Sequence, residues 1–215
     1  MAENKFYTRW WFFVIIGVII LGSIVGFSSN SLIPSTNVNT DNTQETQDSP
    51  TNIKPVKIED LSTLILKVED FPQDEGWTLK DRAERGKTDV SDNGLNLGWK
   101  RGYYANYLNG ELKAENLDYS RVDLLISEYP PENISLALKT EESDDYTTYD
   151  PLSDPQIGDE SKAYKVISIN EYDVEDIYYE IQFRKKNLLF TLQNYGTRTD
   201  YALLKDLAKK AEAKI

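Results

Sequence analysis

Two amphipathic helices are predicted near the ends of the segment that follows residue 55. Close to its start, four apolar residues recur at positions that share one side of a helix: Leu61, Leu64, Ile65 and Val68. We expect Phe71-Pro72 to end this helix, because proline disfavours the helical conformation of the residue before it. A second helix is predicted from about Asp200, and its apolar stripe consists of Leu203, Leu204, Leu207 and Ala211.

Between these helices, alternating apolar and polar residues predict about six β-strands. They are Trp77–Lys80, Gly98–Leu108, Tyr119–Tyr129, Lys162–Ile169, Ile177–Phe183 and Leu188–Gln193. A further helix is predicted from Pro131 to about Lys139, followed by a polar loop over residues 140–160. Asn109-Gly110, a common turn pair, is expected to begin the connection between the second and third strands. Hairpins imply an antiparallel sheet with one face covered by helices, which is an α+β fold.

An uncharged apolar run occupies residues 10–27. A bilayer-spanning helix needs roughly 17–25 mostly apolar residues, so this run predicts one transmembrane anchor. Lys5 and Arg9 precede the run, and the next Lys or Arg after it is Lys54. By the positive-inside rule, residues 1–9 are predicted to be cytoplasmic and the C-terminal domain to lie outside the cell membrane.

A cleaved signal peptide and a buried core helix are the alternatives for this run. The apolar core of a signal peptide is usually about 7–15 residues long, which is shorter than the run. The small residues Gly26 and Ser28 could serve a cleavage site, but Phe27 lies between them. A core helix is disfavoured because the segment that follows is polar.

Residues 28–55 are rich in Ser, Thr, Asn, Gln and Pro, and contain no aromatic residue. Such a segment buries too little apolar area to offset the entropy of ordering it, so it is predicted to be a disordered stalk. Residues 56–215 are then the extracytoplasmic domain. The only Asn-x-Ser/Thr sequon begins at Asn133, inside that domain, and glycosylation of Asn133 or of the stalk is left open.

Composition removes several classes of function. The chain has no cysteine and no histidine, so disulfides, zinc–thiolate sites and catalysis by Ser-His-Asp or Cys-His groups are excluded. The formal net charge of −12 disfavours binding to nucleic acid, which is itself a polyanion.

Two acidic segments invite a metal-binding interpretation. Asp89-Val-Ser-Asp-Asn-Gly94 imitates the start of a calcium loop, but the twelfth position is Lys100, where a bidentate Glu is required. We therefore interpret it as a polar turn. The other segment could bind a hard cation or supply the paired carboxylates of a glycosidase, but we interpret it as a solvated loop: Glu141, Glu142, Asp144, Asp145, Asp150 and Asp154. No residue is assigned a catalytic, cofactor-binding or metal-binding role, and no cofactor is expected.

Tyrosines are numerous, with 14 in the chain. Five lie on predicted strands: Tyr103, Tyr104, Tyr107, Tyr178 and Tyr179. Adjacent residues of a strand point to opposite faces, so one tyrosine of each adjacent pair is expected on the side away from the core. Exposed tyrosines can bind sugars or proteins, whereas ordinary sheet packing is the simpler interpretation.

Two stretches together resemble a known group of proteins: Ile157-Gly-Asp-Glu-Ser-Lys-Ala-Tyr164 and Phe183-Arg-Lys-Lys-Asn-Leu-Leu-Phe-Thr-Leu192. A loop of this kind, then a hairpin, then a C-terminal helix resembles uncharacterised membrane-anchored envelope proteins of archaea and bacteria with loosely PsbP-like α+β domains. Here Lys186 stands where that pattern has Gly. The resemblance implies a non-catalytic binding or assembly module and assigns no functional residue.

The sequence thus predicts a membrane-anchored binding, sensing or assembly-support module without catalytic activity. An enzyme that uses carboxylate or Lys chemistry on cell-surface polymers is the first alternative, and a structural surface protein is the second. The expected partners are the lipid bilayer, through the N-terminal helix, and either another envelope protein or a cell-surface glycan.

Overall fold

The structure, a computed structural model, describes residues 53–113, 116–139, 146–169 and 175–215, without the side chains of residues 111–117 and 139. The predicted cytoplasmic N-terminus, the anchor and nearly all of the stalk lie outside these residues, as does part of the acidic loop. Within the described ranges, no helix is both long enough and apolar enough to cross a bilayer.

Seven antiparallel strands form one sheet in the order β1-β2-β3-β7-β6-β5-β4. Their bounds are β1 Thr78–Arg85, β2 Arg101–Lys113, β3 Asn116–Glu128, β4 Thr147–Pro151, β5 Glu160–Ile169, β6 Glu175–Lys185 and β7 Leu188–Gly196. Two meanders, β1 to β3 and β4 to β7, are joined where β3 pairs with β7. The predicted α+β fold with an antiparallel sheet is confirmed.

The strand predictions need two corrections. The predicted loop 140–160 contains β4, so the sheet has seven strands where six were expected. Asn109-Gly110 does not begin a turn, because β2 continues to Lys113 and Gly110 is paired with Tyr119 of β3. The hydrogen-bonded pairing of β2 with β3 continues for several residues beyond the predicted turn.

The main core lies between one face of the sheet and α3, the helix Tyr201–Glu212. Asp200 caps its N-terminus by accepting hydrogen bonds from the backbone N–H groups of Ala202 and Leu203. Of the predicted stripe, Leu204, Leu207 and Ala211 are fully buried and Leu203 is half-buried. The sheet supplies alternate residues such as Val122, Leu124 and Ile126 on β3 and Leu188, Phe190 and Leu192 on β7.

A second apolar cluster lies on the opposite face of the sheet, at one end of the strands. It contains Trp99, Tyr129 and residues of α2, the helix Ile134–Lys139, and it packs against Leu189. Leu189 points away from the face that holds Leu188 and Phe190, because side chains alternate along a strand. Helices therefore contact both faces, and the expectation that they cover one face alone is wrong.

The segment predicted as the first helix is not an α-helix. Leu61–Leu64 and Val68–Asp70 form two short 3₁₀ helices, and Ile65 between them is extended. Leu64, Ile65 and Leu66 are all buried, which one side of an α-helix could not achieve for three consecutive residues. The phenol of the buried Tyr107 also donates a hydrogen bond to the Leu66 carbonyl oxygen.

Residues 53–60, which we name the N-terminal strap, are fixed to one end of the sheet. The backbone N–H of Val56 donates to Oδ1 of the buried Asn187, between β6 and β7, at 2.7 Å. Arg101, at the start of β2, donates to the carbonyl oxygens of Ile58 and Glu59 and pairs with Glu128 at the end of β3. Ile53 packs against the second apolar cluster.

Candidate functional site

A row of polar side chains crosses the central strands on the face opposite α3. Asn106 of β2 lies opposite Asp123 of β3, Asp123 opposite Gln193 of β7, and Gln193 opposite Glu180 of β6. These four residues, named the polar row here, alternate along their strands with residues of the main core. The strands therefore present an apolar side to α3 and a hydrogen-bonding side to the other face.

Asp123 is held in a fixed position by two neighbours. Arg121 binds both of its carboxylate oxygens, with Nε at 2.9 Å and Nη2 at 2.6 Å, and the Asn106 amide donates to Oδ1. Burial of the Arg121 guanidinium acts to lower its pKa, but the nearby Asp123 carboxylate outweighs this effect and the pKa is raised. Arg121 therefore stays charged, and its guanidinium binds the Asp123 carboxylate through two hydrogen bonds.

Glu180 is the most buried member of the row, with 3% of its surface exposed. Its two carboxylate oxygens accept hydrogen bonds from the amides of Gln182 and Gln193, each at 2.6 Å. A buried carboxylate costs free energy unless it is hydrogen-bonded, and these two amides provide that compensation.

Two tyrosine rings in tilted contact lie directly beside the polar row. The rings of Tyr178 and Tyr195 are 4.4 Å apart between centroids, and the Arg121 guanidinium lies 5.9 Å from the Tyr195 ring centroid. Burial raises the pKa of both phenols, and the Glu180 carboxylate raises them further. Both hydroxyls therefore stay protonated and neutral. We name this surface the polar face: Asn106, Arg121, Asp123, Tyr178, Glu180, Gln182, Gln193 and Tyr195.

Comparison with known proteins bears on the fold. No family model and no curated protein matches the chain. The extracellular domain of PknH from Mycobacterium tuberculosis is 11% identical in sequence, with a TM-score of 0.55 over 75% of this chain and 98% of that one. The two share a fold.

An uncharacterised protein from Mycobacterium smegmatis also matches, at 10% identity and a TM-score of 0.48, over 73% of this chain and 96% of that one. Neither match carries residue roles to this chain at such identities. The resemblance to PsbP-like domains stays a prediction.

The segment that imitates a calcium loop is a capped helix start. Lys87–Asp89 is a 3₁₀ helix in which the Asp89 carboxylate accepts from the Gly86 N–H, and Ser91 caps α1, the helix Asp92–Asn96. Its predicted conformation, a polar turn, is thus replaced by a short helix. In the described part of the chain, no group of three or more acidic side chains is placed to hold a metal ion.

Two members of the predicted acidic loop can be placed, since Glu141, Glu142, Asp144 and Asp145 lie outside the described residues. Asp150 is part of β4. Asp154 accepts hydrogen bonds from the Ser161 hydroxyl and the Gln156 N–H. Neither lies on the polar face.

The adjacent tyrosine pairs do divide between the two faces, as predicted. Tyr103 and Tyr179 pack against the main core, and Tyr179 contacts Tyr201 of α3 at 5.7 Å between ring centroids. Tyr104 and Tyr178 point to the other face, and both are half-buried there. Tyr107 is buried in the core. The sequon residue Asn133 donates its side-chain amide to the Leu97 carbonyl oxygen at 3.0 Å.

The two stretches that carry the family resemblance contact each other. Gly158 has φ +71°, and the next residue, Asp159, donates its N–H to the Arg184 carbonyl oxygen at 2.8 Å. The Asp159 carboxylate accepts from the N–H of Lys186, and Arg184 pairs with Glu160 at 3.0 Å. Lys186 has φ +55°, a conformation that Gly adopts more easily. These residues hold the β6–β7 turn in place and form a structural motif.

Most of the polar face was not identified from the sequence. The usable signal was local alternation, since the polar residue Asp123 lies between the apolar residues Val122 and Leu124 on β3, and the polar residue Gln193 follows Leu192 on β7. The register between β3 and β7 joins residues far apart in the chain. Local periodicity therefore could not show that Asp123 and Gln193 are neighbours.

Proposed function

We propose that this protein is a single-pass membrane protein whose extracytoplasmic module binds a ligand through the polar face, without catalytic activity. The observation that carries the proposal is the polar row. Here the amide and carboxylate side chains of neighbouring central strands hydrogen-bond to one another and form an ordered, partly buried network. Such networks are costly to maintain, which makes them candidates for function.

The location outside the membrane is supported by the uncharged run at residues 10–27 and by the basic residues before it. It is also supported by the shared fold with the extracellular domain of PknH. A domain without cysteine needs no oxidising compartment, so the location depends on these two arguments.

The topology can be tested with single-cysteine variants because the chain contains no cysteine. Lys209 is exposed on α3, and a Lys209→Cys variant should react with a membrane-impermeant maleimide in intact cells. A Thr8→Cys variant should react only after the cells are lysed. Labelling of position 8 alone in intact cells would reverse the proposed orientation.

Binding through the polar face can be tested with a photocrosslinking residue in native membranes. Asp81 is exposed on β1 and lies opposite Asn106, at the end of the polar row. A crosslinker in place of Asp81 should capture a ligand or partner, and one in place of Lys209 should not. Equal capture at both positions, or none at either, would contradict the proposal.

The polar face also offers an argument for the enzyme alternative. Asp123 and Glu180 point to the same face from strands separated by β7, so their backbones are about 9.6 Å apart at ~4.8 Å per strand. Paired carboxylates are the groups that hydrolyse glycosidic bonds. In that case the protein would release reducing ends from a polysaccharide, and Glu180→Gln would abolish the release while the protein stayed folded.

A further inference from the structure

We infer that the polar face binds a neutral carbohydrate, with the sugar chain lying along the accessible part of the row, from Asn106 to Gln193. This inference rests on the proposed binding function and names its ligand. It follows from three properties of the face: its hydrogen-bonding groups, its aromatic pair and its charge.

The hydrogen-bonding groups match those of a polyhydroxyl ligand. A sugar hydroxyl both donates and accepts hydrogen bonds. The half-buried Asp123 supplies acceptors, and the half-buried amides of Asn106 and Gln193 each contain a donor and an acceptor group, while the buried Glu180 orders Gln193 from beneath. Asn106, Asp123 and Gln193 lie on three adjacent strands, so the accessible part of the row is about 10 Å long at ~4.8 Å per strand. That length suits an extended chain of sugar units better than a single one.

These side chains are already ordered by one another. Asp123 is held by Arg121 and Asn106, and Glu180 is held by Gln182 and Gln193. A ligand would therefore pay little of the entropy cost of immobilising long side chains, which commonly limits affinity on polar surfaces.

The aromatic pair supplies a surface for the apolar side of a sugar ring. The rings of Tyr178 and Tyr195 are in contact beside the row, with centroids 4.4 Å apart and planes tilted by 35°, and each tyrosine is half-buried. Tyrosine combines apolar area with a polar tip, and sugars likewise combine C–H faces with hydroxyl edges. Rings and hydroxyl-binding groups are thus side by side on one face.

Charge argues against an anionic ligand. Arg121 is paired with Asp123, and Glu180 adds a further carboxylate, on a chain whose net charge is −12. Phosphate-rich or carboxylate-rich polymers would be repelled. A protein partner fits less well, because the centre of a protein interface is usually depleted of charged residues, whereas the polar row contains two carboxylates.

The test uses the full-length chain in detergent micelles and beads coated with single polysaccharides. The neutral probes are a β-glucan, a mannan and a galactomannan, and the anionic probes are alginate and dextran sulfate. At least one neutral probe should retain the protein, and the anionic probes should not. Gln193→Ala should weaken retention about tenfold or more, which corresponds to ~1.4 kcal/mol.

Asn96→Ala is the matched control, because Asn96 is an exposed amide on α1 and not part of the polar face. Its binding should equal that of the unmodified protein. If Gln193→Ala does not fold, as judged by circular dichroism, Asn106→Ala takes its place in the same comparison.

The outcomes separate this inference from the proposed function. Retention by neutral probes that is lost in Gln193→Ala and kept in Asn96→Ala supports both. Retention that is equal in the two variants, or stronger on anionic probes, overturns the carbohydrate inference. If no neutral probe retains the protein while the crosslinker at position 81 captures a protein, the carbohydrate inference fails and the binding function stands. Failure of both experiments overturns both.

Discussion

Two glycines with the same backbone conformation should respond very differently to substitution by alanine. Gly158 has φ +71° and Gly76 has φ +72°, so alanine at either position must adopt a left-handed conformation. A Cβ atom at Gly158 would lie 2.3 Å from the Arg184 carbonyl oxygen, whereas a Cβ atom at Gly76 would have nothing within 4 Å. Gly76→Ala therefore measures the cost of the left-handed conformation alone, and Gly158→Ala adds the cost of the close contact with the Arg184 backbone.

The magnitudes follow from the two environments. The left-handed conformation costs alanine roughly 1–2 kcal/mol, and the stiffer unfolded chain returns about 0.4–1 kcal/mol, so Gly76→Ala should lose about 1 kcal/mol. Gly158→Ala should lose a further 1–3 kcal/mol, roughly the cost of overpacking, because the Arg184 backbone must move. That movement also weakens the hydrogen bond from Asp159 N–H to Arg184, worth about 1 kcal/mol.

The assay is a urea melt of residues 53–215, followed by the fluorescence of Trp77 and Trp99. With a slope of about 1–3 kcal/mol per M for small proteins, a difference of ~3 kcal/mol shifts the midpoint by ~1–3 M. Gly158→Ala should unfold at clearly lower urea than Gly76→Ala. If the two variants agree within about 0.5 kcal/mol, the contact between the loop and the β6–β7 turn is not part of the native state.

Three further predictions concern the packing of α3, the hydrogen bonds of Asn194 at the start of α3, and stability in acid. Leu207→Ala should cost about 2–5 kcal/mol because Leu207 is fully buried, and the half-buried Leu203→Ala should cost clearly less; equal effects in a urea melt would mean that α3 does not dock on the sheet. The buried Asn194 donates to the Ser120 hydroxyl and accepts from the Asp200 N–H, so Asn194→Ala should lower the free energy of unfolding by roughly 1–3 kcal/mol; a loss below 0.5 kcal/mol would contradict this role. Burial acts to raise the pKa of Asp70, but hydrogen bonds from the Lys67 N–H and from Lys214 outweigh it and the pKa is lowered. The stabilising contribution of the Asp70 carboxylate is therefore present above the unfolded pKa of about 3.9 and is lost as the pH falls through the folded pKa. Asp70→Asn should reduce the pH dependence of the free energy of unfolding below pH ~4. An unchanged pH dependence in that range would refute this role of Asp70.

The confirmed parts of the fold are those where burial follows local periodicity. Val122, Leu124 and Ile126 are all fully buried, and the residues between them, Asp123 and Leu125, are only half-buried, as a strand with one core face requires. The C-terminal helix could likewise be predicted from the sequence, since Asp200 caps it and its apolar stripe is buried. In both cases the sequence pattern and the packing select the same residues.

The missed elements depend on partners elsewhere in the chain. Thr147–Pro151 has no apolar alternation, and it becomes an edge strand by pairing with β5. An edge strand can contain a proline, and β4 ends with Pro151. The helical spacing at Leu61 and Leu64 was misleading because Leu66, between the expected apolar positions, is also buried.

The polar face could not be derived because it depends on register. Leu124 of β3 lies opposite Leu192 of β7, and this alignment places Asp123 beside Gln193. No turn connects β3 to β7, so no short-range signal sets their alignment. The chemistry of each residue was visible in the sequence, but the grouping of the residues was not.

The N-terminal strap and the polar face are separated from each other along the strands. Asn187, Arg101 and Glu128 fix the strap at one end of the strands. Asn106 and Asp123 of the polar row each lie five positions farther along their strands from Arg101 and Glu128, which is about 16–17 Å at ~3.3 Å per residue. A bulky group bound at the strap is therefore separated from the polar face by roughly that length along the strands, which leaves room for an extended ligand to cross the strands there.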